Sequence, residues 1–301
     1  MPALLKKIFV LAFHLLLIPA FINAQEKDKK LAEQKKLELE VAQSKTVPAK
    51  IENAGKLVQF HLTHKNTGAV DSLLQLMYKW GKESGKKENV FAAYRWAGFA
   101  YINSSNPEKG LAQYQQALEY ASKERMPNEE ILALSLIGRR YSISMEYDKA
   151  MEYFNRVDLN KEGIHDSTRF NYYYLKASLY NSQEKMLEGI KCLLSAKKYA
   201  DRINNFKSIA GANHSLGEYY QKIKENDKAI ACYEIAKKYH EKNADTILIL
   251  FETNFIARVY RAKKNYPVAK ELFEKVIRLA DSADMPGLKY DAVKGLWGYI
   301  F

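Results

Sequence analysis

Three groupings in this 301-residue chain have side chains whose types and spacing could do chemistry. His61 and His64, at i and i+3, would share one helix face and could in principle hold a metal ion. No third ligand accompanies them, so ordinary surface histidines are expected. His214 and Glu218, at i and i+4, suit a local hydrogen bond or a groove role. Cys192 and Cys232 are the only cysteines, which excludes a disulfide framework and a multi-cysteine metal cluster. Neither has a neighbouring histidine or an activating charge cluster, so no nucleophile is expected. The chain holds no phosphate-cradling glycine loop, no nucleophile elbow and no His-Glu-x-x-His. A non-enzyme without cofactor or metal is the expectation.

The elements that would position such residues can be read from composition. Hydrophobic residues make up 47% and charged residues 27%, which suits a chain that buries a core. With 14 glycines, 7 prolines and no Asn-Gly or Asp-Gly pair, the frequent turns of an all-β protein are not provided for, and helix is favoured. The formal charge of +12 would raise nucleic acid as a partner in a cytoplasmic protein. Residues 1–24, however, read as a secretory signal peptide: Lys6 and Lys7, an apolar run from Ile8 to Phe21, and Ile22-Asn23-Ala24 before Gln25. The run is short for a membrane anchor and contains Pro19, so cleavage between Ala24 and Gln25 and a periplasmic or secreted location are expected. No later stretch is apolar enough to span a bilayer. Outside the cytoplasm the excess of basic residues belongs to solvated helix faces, and no nucleic-acid partner is expected. Residues 25–50 are expected to be a charged helical lead-in, an exposed helix or tether, with five lysines and five acids between Glu26 and Glu40.

The rest of the chain repeats itself. Small residues stand at Gly98, Gly138, Ala177, Gly217 and Ala257, and three residues after each comes a tyrosine, Tyr101, Tyr141, Tyr180, Tyr220 and Tyr260. Nine residues further the side chain is small again, at Gly110, Ala150, Gly189, Ala229 and Ala269. It is then large at Tyr114, Phe154, Leu193, Tyr233 and Phe273, and small to medium at Ala117, Val157, Ala196, Ala236 and Val276. The pattern has a period of about 40 residues, within the range of helical-repeat architectures. Offsets of 3, then of 4 and 7, each line one face of a helix, so every unit is predicted to be a helical hairpin whose small residues let backbones approach while the large ones fill the volume. Pro107, Pro127 and Pro286 mark joints between helices.

This pattern resembles the tetratricopeptide repeat, in a long variant lacking the tryptophan common early in the first helix. The resemblance implies an all-α, right-handed superhelical solenoid of antiparallel hairpins. Five repeats are expected over 91–130, 131–169, 170–209, 210–249 and 250–290, preceded by a degenerate hairpin over 51–90. Residues 291–301 would form the first helix of an incomplete repeat, with Trp297 or Gly298 in the small position. Equivalent cysteines in stacked hairpins lie too far apart to pair, so two half-buried thiols are expected.

In such solenoids the first helices line a concave side where extended peptides bind. That implies groove candidates at Arg95, Arg139, Tyr174, Asn181, Asn254, Arg258 and Arg261, with Phe99, Ser135, Ser178, His214, Glu218 and Gln221 beside them. Arginine forks and amides favour an acidic protein or peptide partner. The Lys and Asn pair by which some relatives grip a C-terminal carboxylate is not matched here. The functional expectation is an exported, non-catalytic binding scaffold, with the sensor portion of a longer membrane-spanning regulator as the alternative.

Overall fold

The computed structural model describes residues 28–104 and 106–297, which are helical with short connections and without strand. The expected signal peptide and Gly298 lie outside the described residues. Two units are distinguished, one ending at Glu124 and the other starting at Arg125. The first contains α1 (28–42), α2 (Val47–Thr63), α3 (Thr67–Glu83), α4 (Lys87–Ile102) and α5 (Pro107–Lys123). The second contains α6 (Pro127–Ile143), α7 (Tyr147–Asn155), α8 (Asp166–Ser182), α9 (Met186–Ile203), α10 (Phe206–Lys222), α11 (Asn226–Lys242), α12 (Thr246–Ala262), α13 (Tyr266–Ser282) and α14 (Pro286–Trp297).

Most helices share one length, a little under five turns, and the chain reverses after each. At nearly every reversal one residue takes a left-handed conformation: Lys65, Gly85, Arg125, Met145, Glu184, Asn204, Lys224, Ala244, Lys264 and Asp284. Tyr141, Tyr180, Tyr220 and Tyr260 supply the carbonyls that close four of these turns. Glu146 N–H donates to Tyr141 O at 2.9 Å, Lys185 to Tyr180 at 2.8 Å, Glu225 to Tyr220 at 2.9 Å and Asn265 to Tyr260 at 2.9 Å. These are six-to-one bonds of the Schellman type. The first helices also begin about one turn ahead of the boundaries expected from the side-chain pattern, at Lys87, Pro127, Asp166, Phe206 and Thr246. The pattern records packed positions and not caps.

A left-handed residue other than glycine costs on the order of 1 kcal/mol. Met145 has φ 62° and an exposed side chain, so it gives up little packing. Met145→Gly is expected to stabilise the protein by about 0.5 kcal/mol and Met145→Val to destabilise it by about 1 kcal/mol. Urea unfolding midpoints check both.

The small and large positions interlock within hairpins. A Cβ added at Gly217 would stand 2.6 Å from the Tyr233 ring, and one at Gly138 would stand 2.9 Å from Phe154. Gly98 is likewise closed by Tyr114. Tyr114, Phe154, Leu193, Tyr233 and Phe273 are all buried. The five patterned tyrosines are half-buried, and Tyr220 and Tyr260 each join two neighbouring apolar clusters of the second unit.

Three expectations are corrected. Val157 is not on a second helix: α7 stops at Asn155 and a loop runs to His165. Arg169 holds that loop through the carbonyls of Ile164 (2.5 Å) and Leu159 (3.2 Å), and Asn128 holds it through Gly163 O (3.0 Å). With α7 short, α8 packs directly along α6. Trp297 is exposed, and Gly295 approaches Phe273 of the preceding hairpin closely. The lead-in is docked and not a tether, since Val41 is buried, Leu37 packs on the first-unit core, and Asn53 donates to Glu40 O at 3.2 Å. His61 is buried and not a surface residue, because α1 and the aromatic Phe60 close around α2. Burial lowers its pKa against the opposing charge of Glu38.

Candidate functional site

The groove candidates on the first helices divide by what holds them. In the first unit Arg95 pairs with Glu52 at 3.6 Å and lies over the Trp96 ring, with Phe99 edge-on to that ring. In the second unit Tyr174 bonds Ser215 at 3.2 Å, and Asn181 accepts from Lys222 at 2.5 Å. Arg261 donates to Gly295 O at 2.9 Å, which ties α12 to α14. Ser135 is buried and bonded to Ile131 O. Asn254, expected in the groove, is buried instead, with its side-chain amide oxygen unpartnered among the described residues. Arg139 and Arg258 are exposed, and Arg258 lies over Phe255 with 5.4 Å to the ring centroid. The arrangement therefore uses most of the polar candidates to fasten one hairpin to the next.

What the second unit opens to solvent is a cavity of about 670 Å³ between α10 and α12, closed at one side by the end of α11. Of the consecutive first helices in this unit, α10 and α12 approach each other least closely. Side chains that repeat nowhere else keep them apart: His214 and Phe255 meet edge-to-face at 4.9 Å, and Phe255 stacks on the buried Tyr233 at 5.4 Å. Apolar walls come from Phe206, Leu248, Phe251 and Phe255. The first three are 37 to 41% exposed. Ala210 and Gly211 keep the α10 side low.

The cavity has a charged floor. Glu252 is buried, with 4% of its side chain exposed, and accepts from His214 Nδ1 on both oxygens, at 2.9 and 3.1 Å. His240 Nε2 stands 3.7 Å from the same carboxylate, and His214 Nε2 stands 3.8 Å from Glu218. Burial pulls the His214 pKa down, but the hydrogen bond and charge of Glu252, helped by Glu218, overcome this and raise it above 6.5. Lys207 and Asp245 stand at the mouth. His214 was in reach of sequence reasoning as a first-helix position. Glu252 and His240 were not, because the groups they meet belong to other helices and no sequence spacing links them.

Among the described residues no cluster of three or more His, Cys, Asp or Glu side chains has the arrangement of a metal site, and no helix is long and apolar enough to cross a membrane. Cys192 and Cys232 are free and half-buried, and burial raises both thiol pKa values, which disfavours the reactive thiolate.

The profile of the family described as soluble NSF attachment protein, SNAP, matches residues 134–297. No curated protein sequence matches the chain. Several solved structures share its fold. A signal transduction ATPase with numerous domains from Pyrococcus horikoshii, with a tetratricopeptide repeat sensor, superposes with a TM-score of 0.66 at 18% identity. That match covers 90% of this chain and 43% of the other, so this chain spans less than half of that protein. The apo form of RapI gives 0.58 at 16% identity, covering 90% and 74% of the two chains. A Rap protein complexed with competence and sporulation factor gives 0.52 at 13% identity, covering 85% and 72%.

Proposed function

The chain belongs to the soluble NSF attachment protein (SNAP) family of tetratricopeptide-like helical repeats, and from that premise we propose that it is a non-catalytic scaffold, exported from the cytoplasm, that binds a protein or peptide partner on its first helices. The observation that carries this reading is the cavity between α10 and α12, whose exposed Phe206, Leu248 and Phe251 form an apolar seat beside charged groups. A Rap protein of the same fold complexed with a factor supports it by analogy. Arg139 and Arg258 are the exposed cations to which an acidic stretch of the partner would bind. Export rests on residues 1–24, and the chain recovered from the cell envelope is expected to begin at Gln25. A second reading, the sensor portion of a longer membrane-spanning regulator, draws on the Pyrococcus horikoshii protein, whose repeats are described as a sensor.

The test is capture from an envelope extract with the chain beginning at Gln25. The double variant Phe206→Ala/Phe251→Ala is expected to lose at least about tenfold of the captured partner while keeping its helical circular dichroism. Arg139→Ala/Arg258→Ala is expected to lose a few fold, in a salt-sensitive manner. A captured partner indifferent to the phenylalanine variant would contradict the proposal.

A further inference from the structure

We propose that the cavity between α10 and α12 receives a positively charged side chain, Arg or Lys, carried next to apolar residues on the partner segment, with Glu252 as its counter-ion. This rests on the scaffold reading above and names the chemistry that the site selects.

The argument begins at Glu252. A carboxylate offers about four lone-pair directions. Here His214 Nδ1 alone, among the described residues, donates within hydrogen-bonding distance, and His240 Nε2 at 3.7 Å stands outside it. A buried carboxylate so sparsely served is costly unless further donors reach it. It forms part of the lining of the cavity. A guanidinium or ammonium entering there would bring several N–H groups to the lone pairs that His214 leaves open.

The walls agree with that chemistry. Phe206, Phe251 and Phe255 line the space and give the alkyl stem of such a side chain apolar contact. The protein already places basic side chains against these rings at the rim, where Lys242 Nζ lies 6.0 Å from the centroid of Phe206 and Arg258 caps Phe255. The remaining charges near the mouth, Lys207 and Asp245, oppose each other, and Glu218 is engaged by the far nitrogen of His214. A volume of about 670 Å³ accommodates one long cationic side chain with its apolar neighbours.

The experiment uses three acetylated and amidated tripeptides, Phe-Arg-Phe and its counterparts with Gln or Glu in the middle, titrated against the chain beginning at Gln25 by calorimetry. The Arg peptide is expected to bind at least about tenfold tighter than the Gln peptide, with the Glu peptide weakest. In Glu252→Gln the preference for Arg over Gln should fall to within about twofold. Gly211→Leu should abolish binding of all three, because Gly211 belongs to the cavity lining and an added Cβ there meets nothing nearer than the Tyr174 hydroxyl at 3.8 Å. Circular dichroism verifies that both variants stay folded.

Equal affinities for the three peptides, no binding by any of them, or an Arg preference that survives in Glu252→Gln would each overturn the proposal. If that happens while Gly211→Leu still loses the captured partner, the cation assignment falls and the scaffold reading stands. If Gly211→Leu captures as the parent does, the cavity is not the docking place and both fall.

Discussion

Tyr233→Ala is expected to lower the stability of the unit that starts at Arg125 by about 3 to 5 kcal/mol. The ring is fully buried, lies against Gly217 where no side chain could fit, and stacks on Phe255. Its removal leaves a cavity that helix backbones cannot collapse into, since their approach is set by neighbouring hairpins on both sides. The hydroxyl bonds Gln221 Oε1 at 3.2 Å, so Tyr233→Phe should cost only about 1 kcal/mol. Urea unfolding distinguishes the two. The same ring backs the cavity between α10 and α12 through His214 and Phe255, so on the proposed function Tyr233→Ala should weaken partner binding as well.

His214→Ala is expected to cost about 2 to 4 kcal/mol near pH 6, because it leaves a buried carboxylate without its donor. The pH dependence has a definite sign. The folded-state pKa of His214 lies above 6.5: burial lowers it, and the Glu252 hydrogen bond and charge, with Glu218, more than restore it. Folding therefore favours the protonated ring, and its contribution is fully present below about pH 6.5 and lost as pH rises through the raised folded value. The stability gap between the parent and His214→Ala should thus narrow from pH 6 to pH 9. It should not close, since a neutral imidazole still donates from Nδ1. A gap that widens with pH would contradict the assignment of the proton.

Much of this architecture was legible in the residues because the repeat writes its packing into side-chain size. Gly217 with Tyr233 and Gly138 with Phe154 are contacts that spacing alone could anticipate. The turns were less visible, because their left-handed positions are held by Lys65, Met145, Glu184 and Lys264, and not by glycine. Carbonyls of the patterned tyrosines close several of them, a role that side-chain identity does not reveal. The end of α7 escaped for a different reason: Ala150 and Phe154 keep the pattern, and the chain leaves the helix just past the last of them.

The site was the least legible part. Arg95 and Arg261 have the residue type of ligand-binding groups, yet they are occupied by Glu52 of α2 and by the Gly295 carbonyl of α14, partners two helices away along the chain. The cavity floor draws one residue each from α10, α11 and α12, and none of the three belongs to the repeated set. It is at such unrepeated positions that a solenoid departs from pure packing, and a site that sets two helices apart has to be built from them.

Hydrogen–deuterium exchange on the chain with its captured partner tests the central claim most directly. Protection is expected over residues 206–214 and 248–255, the two segments that face each other across the cavity. Protection confined to α11 and α13, with those segments unchanged, would contradict it.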